Sequence, residues 1–321
     1  MPHVLTRSPL TTGTFAGMIC MAVAMFLLPV GDTLAKLLTE TLNPVEVATM
    51  RVLAQGAFLL PAAALLRGRL RGAMFSPVVA LSGLMLMITL ISLIGAFSVM
   101  PIATAIAIFF VEPLILTVLA GPLLGETVGP RRLVAVGVGL AGALIVIRPG
   151  AHFEVAALLP LIAALAHALN MIVLRRASRT RSGLTIQCGA TIYAGIGMLT
   201  LSAGLQGMGL FQPGLGALTA SGWTLIVGSG FFAAASYVLI AEAFRHAEAG
   251  LLAPFQYLEI IGATAAGYLV FGDFPDAMTW TGIAIILASG LYVVYREQAR
   301  ASLERASLAR ALERTRETPP S

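Results

Sequence analysis

Two glutamates, Glu112 and Glu259, each stand in the middle of an apolar run long enough to cross a membrane. Glu112 lies 11 residues after Pro101, about 17 Å along a helix rising 1.5 Å per residue, which is near the mid-depth of a bilayer. Glu259 stands nine residues after Gly250 at a similar depth. An unpaired carboxylate there costs at least ~2.5 kcal/mol, so each must face a cavity, find a partner or hold a proton. Binding a cationic group and carrying a coupled proton are the functional readings. A hydrogen bond that only fixes one helix on another is the plain one. The surroundings of the two glutamates repeat: FVEPLILTVLAGPLLGE (Phe110–Glu126) and YLEIIGATAAGYLVFGD (Tyr257–Asp273) align at an offset of 147 residues. That offset places Glu112 on Glu259, Gly125 on Gly272, Glu126 on Asp273 and Phe97 on Phe244. A duplicated membrane unit with a polar group at mid-depth in each copy marks a secondary transporter.

Other polar residues fall inside apolar runs. Asp32 and Lys36, the sole lysine of the chain, share a helix face at i,i+4 and are placed for an ion pair. Arg51 lies one to two turns inside the next run, with Glu46 and Gln55 flanking it on related faces. Asp32, Lys36 and Arg51 would form an outer gate or hold a substrate carboxylate. The competing reading has Lys36 and Arg51 snorkelling to the interface beside acidic partners. His167 and Asn170, one turn apart, would shuttle a proton, touch a ligand or make interhelical hydrogen bonds. Gln256 precedes Glu259 by three residues and would share its face, with Tyr257 aimed elsewhere. Tyr193 and Tyr237 read as packing residues. Glu126 and Asp273, beside glycines at run ends, read as loop geometry and capping.

Composition leaves little room for a soluble fold. Hydrophobic residues make up 58% of the 321 and charged residues only 11%, with a mean hydropathy of +0.92, whereas a soluble domain carries roughly 25% charged residues. Cys20 and Cys188 sit within apolar runs and read as small packing groups, not as a disulfide. The pI near 9.7 invites a nucleic-acid reading, but the arginines lie between apolar runs, where topology control places them. The sequence shows no Walker loop, HExxH, paired cysteine ligands or GxSxG elbow. No catalytic residue, metal ligand or cofactor site is assigned, and an enzyme is not expected.

Ten spans follow, at about 14–37, 44–66, 74–97, 101–123, 131–148, 155–174, 183–205, 221–242, 250–271 and 277–295. All are expected to be helices, because open backbone in lipid is costly. The first run is read as a retained helix and not a cleaved signal peptide. With the N-terminus inside, 17 of the 20 Lys and Arg residues fall on the inner side, so both termini are expected to be cytoplasmic. Five spans per copy is an odd number, and the second copy must then be inverted. GETVGPRR (Gly125–Arg132) carries two arginines whereas its twin GDFPDAMTW (Gly272–Trp280) carries none, as inversion requires. Ala135, Gly139 and Ala143 on the fifth span, and Ala284 and Ala288 on the tenth, form small-residue faces for scaffold packing or for a homodimer.

At this point the chain resembles the drug/metabolite transporter superfamily and, within it, the EamA-like ten-helix carriers. The first copy carries the resemblance in PIATA (Pro101–Ala105), EPL (Glu112–Leu114), LLGE (Leu123–Glu126) and GVGLAG (Gly137–Gly142) running into IRPG (Ile147–Gly150). The second carries it in APFQYLE (Ala253–Glu259), VFGDFPD (Val270–Asp276) and SGLYVVYRE (Ser289–Glu297). It implies an all-α integral membrane protein of two inverted five-helix repeats, with small organic substrates, no cofactor and a bacterial inner-membrane location. The boundaries expected are a cytoplasmic N-terminus at 1–13, repeats at 14–150 and 151–296, and a cytoplasmic tail at 297–321. The lipid bilayer and a small-molecule substrate, with protons as a coupling partner, are the expected partners. The substrate reads as amino-acid-like, with cationic drugs, vitamins or cofactors as the alternative. A non-transporting sensor or assembly partner on the same fold also stays open. Glu112, Glu259, Gln256, Asp32, Arg51 and Lys36 head the candidate site, with His167 and Asn170 behind them.

Overall fold

The helix starts are written locally. Asn43 accepts the Val45 amide at 2.9 Å and is followed by Pro44; Ser76 accepts Val79 N at 3.4 Å and is followed by Pro77; Ser182 accepts Thr185 N at 3.3 Å. Each cap supplies an oxygen to an orphan first-turn amide, and proline at the first helical position gives up a donor that had no partner. A computed structural model of the protein describes residues 12–125, 129–148, 155–247 and 249–317. Glu126 and the ends of the chain, with Arg7, therefore lie outside the described residues. Helices in chain order are α1 (Thr12–Leu38), α2 (Pro44–Leu65), α3 (Pro77–Phe97), α4 (Ile102–Phe109), α5 (Glu112–Leu124), α6 (Pro130–Ile147), α7 (Leu159–Ala177), α8 (Gly183–Gly207), α9 (Ala220–His246), α10 (Ala249–Gln256), α11 (Leu258–Phe271) and α12 (Ala277–Glu317). No strand occurs among the described residues.

Twelve helices make ten spans because two spans are broken. Counting α4 and α5 as one, nine stretches of the described residues are long and apolar enough to cross a membrane, and α10 with α11 makes the tenth. The breaks fall at Phe110–Val111 and at Tyr257, which are equivalent positions at the 147-residue offset. Each break tightens to an i→i−3 bond, Val111 N to Ile108 O at 3.1 Å and Tyr257 N to Pro254 O at 3.4 Å. Uninterrupted helices were expected here. In the first copy Pro113 explains the difference: it offers no amide to Phe109 and its ring crowds that carbonyl. After the breaks, α5 and α11 end alike, at Gly125 (φ 73°) and Gly272 (φ 72°). Both glycines are left-handed caps that a side chain would strain.

Contacts at the ends of the bundle fix an up–down order. At one end Arg71 N meets Ser182 Oγ and Thr185 Oγ1, Arg181 Nε donates to Ala73 O, and Arg69 pairs with Glu242. At the other, the Gly214 amide donates to Glu46, Arg148 pairs with Asp276, and Lys36 donates to Met100 O. α1 packs on α9 and α11, α2 on α8 and α9, and α3 on α7 and α8. α6 lies along α12, so the matching last spans of the two repeats join them.

That joint uses small residues. A Cβ on Gly142 would meet the Ile285 side chain and Gly282 O, and one on Gly282 would meet Val146. Ala135, Gly139 and Ala143 face inward, which is the scaffold packing of the two uses open to them. Ala284 and Ala288 do not: they are exposed, and α12 instead packs through Gly282, Ile286 and Ser289. The small-residue stripe on α6 is therefore consumed inside the chain. α12 also runs on well past its apolar part, to Glu317.

Polarity is inside out relative to a soluble protein. Phe15, Ile19, Phe26, Val134, Leu144 and Leu269 are exposed, whereas Asp32, Arg51, Gln55, Ser82 and Asn170 are buried. Only lipid makes such an outer face favourable, so this is an all-α membrane protein.

Candidate functional site

Asp32, Arg51, Glu112 and Glu259 come from α1, α2 and the segments after the two breaks. Asp32 sits on α1 next to Gly31, whose bare Cα lets Phe232 and Ser229 of α9 approach. Arg51 is on α2, whose own glycine-lined contact with α9 is closer still: a Cβ on Gly230 would reach Gln55 N at 2.6 Å. These close approaches bring Arg51 Nη2 to 2.6 Å from Asp32 Oδ1, with both side chains only 5% exposed. Glu259, in the first turn of α11, and Tyr237 of α9 lie within electrostatic reach of both members of the pair. The buried Asp32–Arg51 pair and the partly buried Glu259 and Tyr237 thus belong to one electrostatic group drawn from α1, α2, α11 and α9. Such a pair offsets the cost of desolvation only through close geometry, and removing one member strands the other.

Glu112 is placed differently. It opens α5, where the first-turn amides favour negative charge, but its Oε1 is buried without a hydrogen-bond partner among the described residues. Tyr257, at the second break, is 9% exposed; its Oη is likewise buried and unpartnered, and Glu112 is the charge it feels. The Phe110 ring lies 5.4 Å from that of Tyr257, tilted by 35°. Phe109 stands beside Phe110, and His167 of α7 meets Phe109 edge-on at 5.5 Å. The two pseudo-symmetric glutamates therefore have unlike neighbours, an ion pair for Glu259 and aromatic rings for Glu112.

The structure redistributes several partners. Lys36 does not pair with Asp32: its Nζ lies 3.3 Å from Asp273 Oδ2 and 3.1 Å from Met100 O, and 4.6 Å above the Phe271 ring. Asp273 is accordingly more than a cap. Glu46 and Gln55 do not serve Arg51: Glu46 binds the Gly214 amide, and Gln55 Nε2 donates to Thr191 Oγ1 at 3.1 Å. Asn170 accepts from Ser82 Oγ at 2.6 Å, an interhelical bond between α7 and α3. Gln256 is exposed at the end of α10, and the break separates it from the helix that carries Glu259. Tyr257, expected to point away from the site, packs on Phe110 and lies within electrostatic reach of Glu112. Its signal was present in the repeat, since it aligns with Phe110.

Two grooves of about 490 and 510 Å³ run between α6 and α12 and between α2 and α8. Both are almost wholly apolar, and neither is lined by Glu112 or Glu259. They are grooves of the lipid-facing surface, and the carboxylates lie deeper. Among the described residues no group of His, Cys, Asp and Glu is arranged to hold a metal ion.

The EamA-like transporter family model matches residues 15–148 and 155–295. The chain belongs to this family. A riboflavin transporter of Vibrio cholerae serotype O1 is 32% identical over 64% of this chain and 66% of its own length. An S-adenosylmethionine uptake transporter of Rickettsia bellii is 28% identical over 83% of this chain and 89% of its own. A pseudopaline exporter of Pseudomonas aeruginosa is 23% identical over 85% and 94%. The match to the riboflavin transporter thus spans just under two thirds of that protein. Among the solved structures that share the fold is a crystal structure with a TM-score of 0.57 and 19% identity over 91% of this chain and 99% of that one.

Proposed function

We propose that the protein is a secondary active transporter that moves a small organic metabolite across the inner membrane by alternating access. The observation that carries this is the pair of breaks at equivalent positions, each followed in its first turn by a carboxylate. Broken helices at mid-depth of a repeated fold expose half-helix termini to a solute without exposing open backbone to lipid. The three relatives above are named for transport of three different small organic molecules, which supports a small organic cargo for this chain.

In this reading the repeats rock about the central residues, and the end contacts alternate. The end bearing Arg69, Arg71 and Arg181 faces the cytoplasm by the positive-inside rule. The Lys36–Asp273 contact then closes the outer side. Glu259, beside Arg51 and Asp32, is the candidate for a coupled proton. An amino-acid-like substrate would need a cation for its carboxylate, and both sequence candidates, Lys36 and Arg51, already hold acids.

Purified protein in sealed vesicles tests the reading with a panel of labelled amino acids, vitamins, nucleosides and quaternary amines. Saturable flux of at least one, reduced by Glu259→Gln and driven by an imposed pH step, is expected. A protein that binds a panel member but passes none would be a sensor on a carrier fold.

A further inference from the structure

We infer that Glu112, Tyr257 and Phe110 form the binding site for a positively charged organic group, an ammonium or sulfonium centre, and that Glu259 does not share this task. The inference rests on the transporter reading for its biological sense but not for its chemistry.

Three observations meet at the site. Glu112 Oε1 and Tyr257 Oη are both buried and both without a hydrogen bond among the described residues, yet each lies within electrostatic reach of the other. Native proteins leave few such atoms, and two within electrostatic reach of each other call for a partner. A neutral water would satisfy the hydroxyl but would leave Glu112, when ionised, without a compensating charge. A cation neutralises Glu112 and is favoured by an electron-rich face of Tyr257 or Phe110, whose rings pack together at 5.4 Å, and an ammonium N–H could also be donated to Tyr257 Oη.

Charge pairing among the other candidate residues points the same way. Arg51 is balanced by Asp32 at 2.6 Å, and Lys36 by Asp273 at 3.3 Å. Glu259 borders the Arg51–Asp32 pair and shares the field of that arginine. Glu112 is the interior carboxylate whose surroundings are aromatic. The two copies of one ancestral position have therefore separated in role, one facing a fixed cation and one facing rings that would receive a mobile cation.

Tyr257 has a further mark of being held in place for this purpose. A Cβ on Gly290 of α12 would overlap Tyr257 Oη, so glycine at 290 is what lets the hydroxyl lie there. The ring is pinned between α12 and Phe110 with its polar atom unsatisfied, an arrangement that is costly unless a ligand completes it.

Ligand-induced thermal stabilisation of the full chain in detergent tests the site. The probes are trimethylammonium, choline, tetraethylammonium and trimethylsulfonium ions, each set against its neutral carbon isostere, such as 3,3-dimethylbutanol for choline. At least one cation is expected to stabilise the wild type, its isostere having no effect. Glu112→Gln should weaken that binding by about tenfold or more, and Tyr257→Leu, which removes the ring, by about three- to tenfold, the scale of one cation–π contact, whereas Tyr257→Phe keeps the ring and should weaken it less. Glu259→Gln should leave it within about twofold. Without ligand, Glu112→Gln and Tyr257→Phe should melt at or above the wild-type temperature, since each removes a buried polar debt. A cation that binds Glu112→Gln as tightly as wild type, or isosteres that bind as well as their cations, would overturn the assignment. Stabilisation by no cation at all would mean that an ordered water or a proton fills the gap, which also overturns it. Failure of the transporter reading looks different: cation binding would persist with no flux in vesicles.

Discussion

Lys36 Nζ lies 3.3 Å from Asp273 Oδ2, a residue 237 positions away, while Asp32, one turn below on the same helix, is held by Arg51 at 2.6 Å. Depth explains the exchange of partners. Asp32 and Arg51 are deep and 5% exposed, where a planar guanidinium offers a carboxylate more donors than an ammonium can. Lys36 is near the end of α1 and reaches Asp273 because Gly272, left-handed at φ 72°, turns the chain back after α11. One helix of the first repeat is thereby tied to the end of a helix in the second.

The Lys36–Asp273 contact should behave as a partly exposed ion pair. Asp273 is 36% exposed as a side chain, so the coupling energy is expected to be only about 0.2–1 kcal/mol and to shrink with salt. A double-mutant cycle of Lys36→Met and Asp273→Asn, read by thermal unfolding in detergent at low and high salt, measures it. Additive effects at low salt would show that the contact links nothing.

The Arg51–Asp32 pair should show the opposite behaviour. Arg51→Met strands Asp32 next to Glu259, two acids without a cation, and is expected to cost about 3–5 kcal/mol. Asp32→Asn should cost less, because Glu259 remains within reach of Arg51. The double substitution should recover a large part of the Arg51→Met loss. Unfolding free energies of the three variants in mixed micelles check the order; equal losses for the two single variants would separate Glu259 from the group.

The spans, the repeat and the importance of Glu112 and Glu259 were legible because they rest on hydropathy, an offset and the cost of charge at mid-depth. What was not legible is who faces whom. Spacing of i,i+4 makes an Asp32–Lys36 pair available, but it is worth only ~0.3–0.5 kcal/mol, less than a deep Arg51 gains from a carboxylate. The helix breaks were half-legible: Pro113 announces the first, while the second has no proline at the matching place, where Ile260 stands. Tyr257 was misjudged because its direction was taken from an unbroken helix. Ala284 and Ala288 illustrate the limit of small-residue stripes, since Gly282, two residues before Ala284 and on another face, is smaller still and is the residue that packs.

Gly290 should be intolerant of any side chain for one reason, the hydroxyl of Tyr257. Gly290→Ala is expected to cost about 1–3 kcal/mol from overpacking, and Gly290→Ala with Tyr257→Phe should recover most of that, since the overlap is with Oη first. Gly230→Ala, whose Cβ would meet backbone of α2 at 2.6 Å, offers the contrast: no side-chain truncation on α2 should rescue it. Melting temperatures of the four proteins decide. A double variant no better than Gly290→Ala would place the crowding elsewhere than at Tyr257 Oη.

Acid should loosen the end of the bundle that carries Asp276. Its carboxylate accepts from the Arg148 guanidinium and, at 2.8 Å, from the Thr279 amide at the start of α12, and these bonds hold it well below the usual aspartate range. A carboxyl whose folded value is depressed binds more protons when unfolded, so its stabilising contribution is complete above about pH 4 and declines as pH falls further toward the folded value. Asp276→Asn lacks this contribution at every pH. The gap in melting temperature between wild type and Asp276→Asn should therefore be constant from pH 7 to about pH 5 and narrow between about pH 4 and pH 3. A gap that widened on acidification would mean that the charge at 276 is unfavourable in the folded state. Arg148, held in a left-handed conformation at φ 52°, would then need some other partner to keep it there.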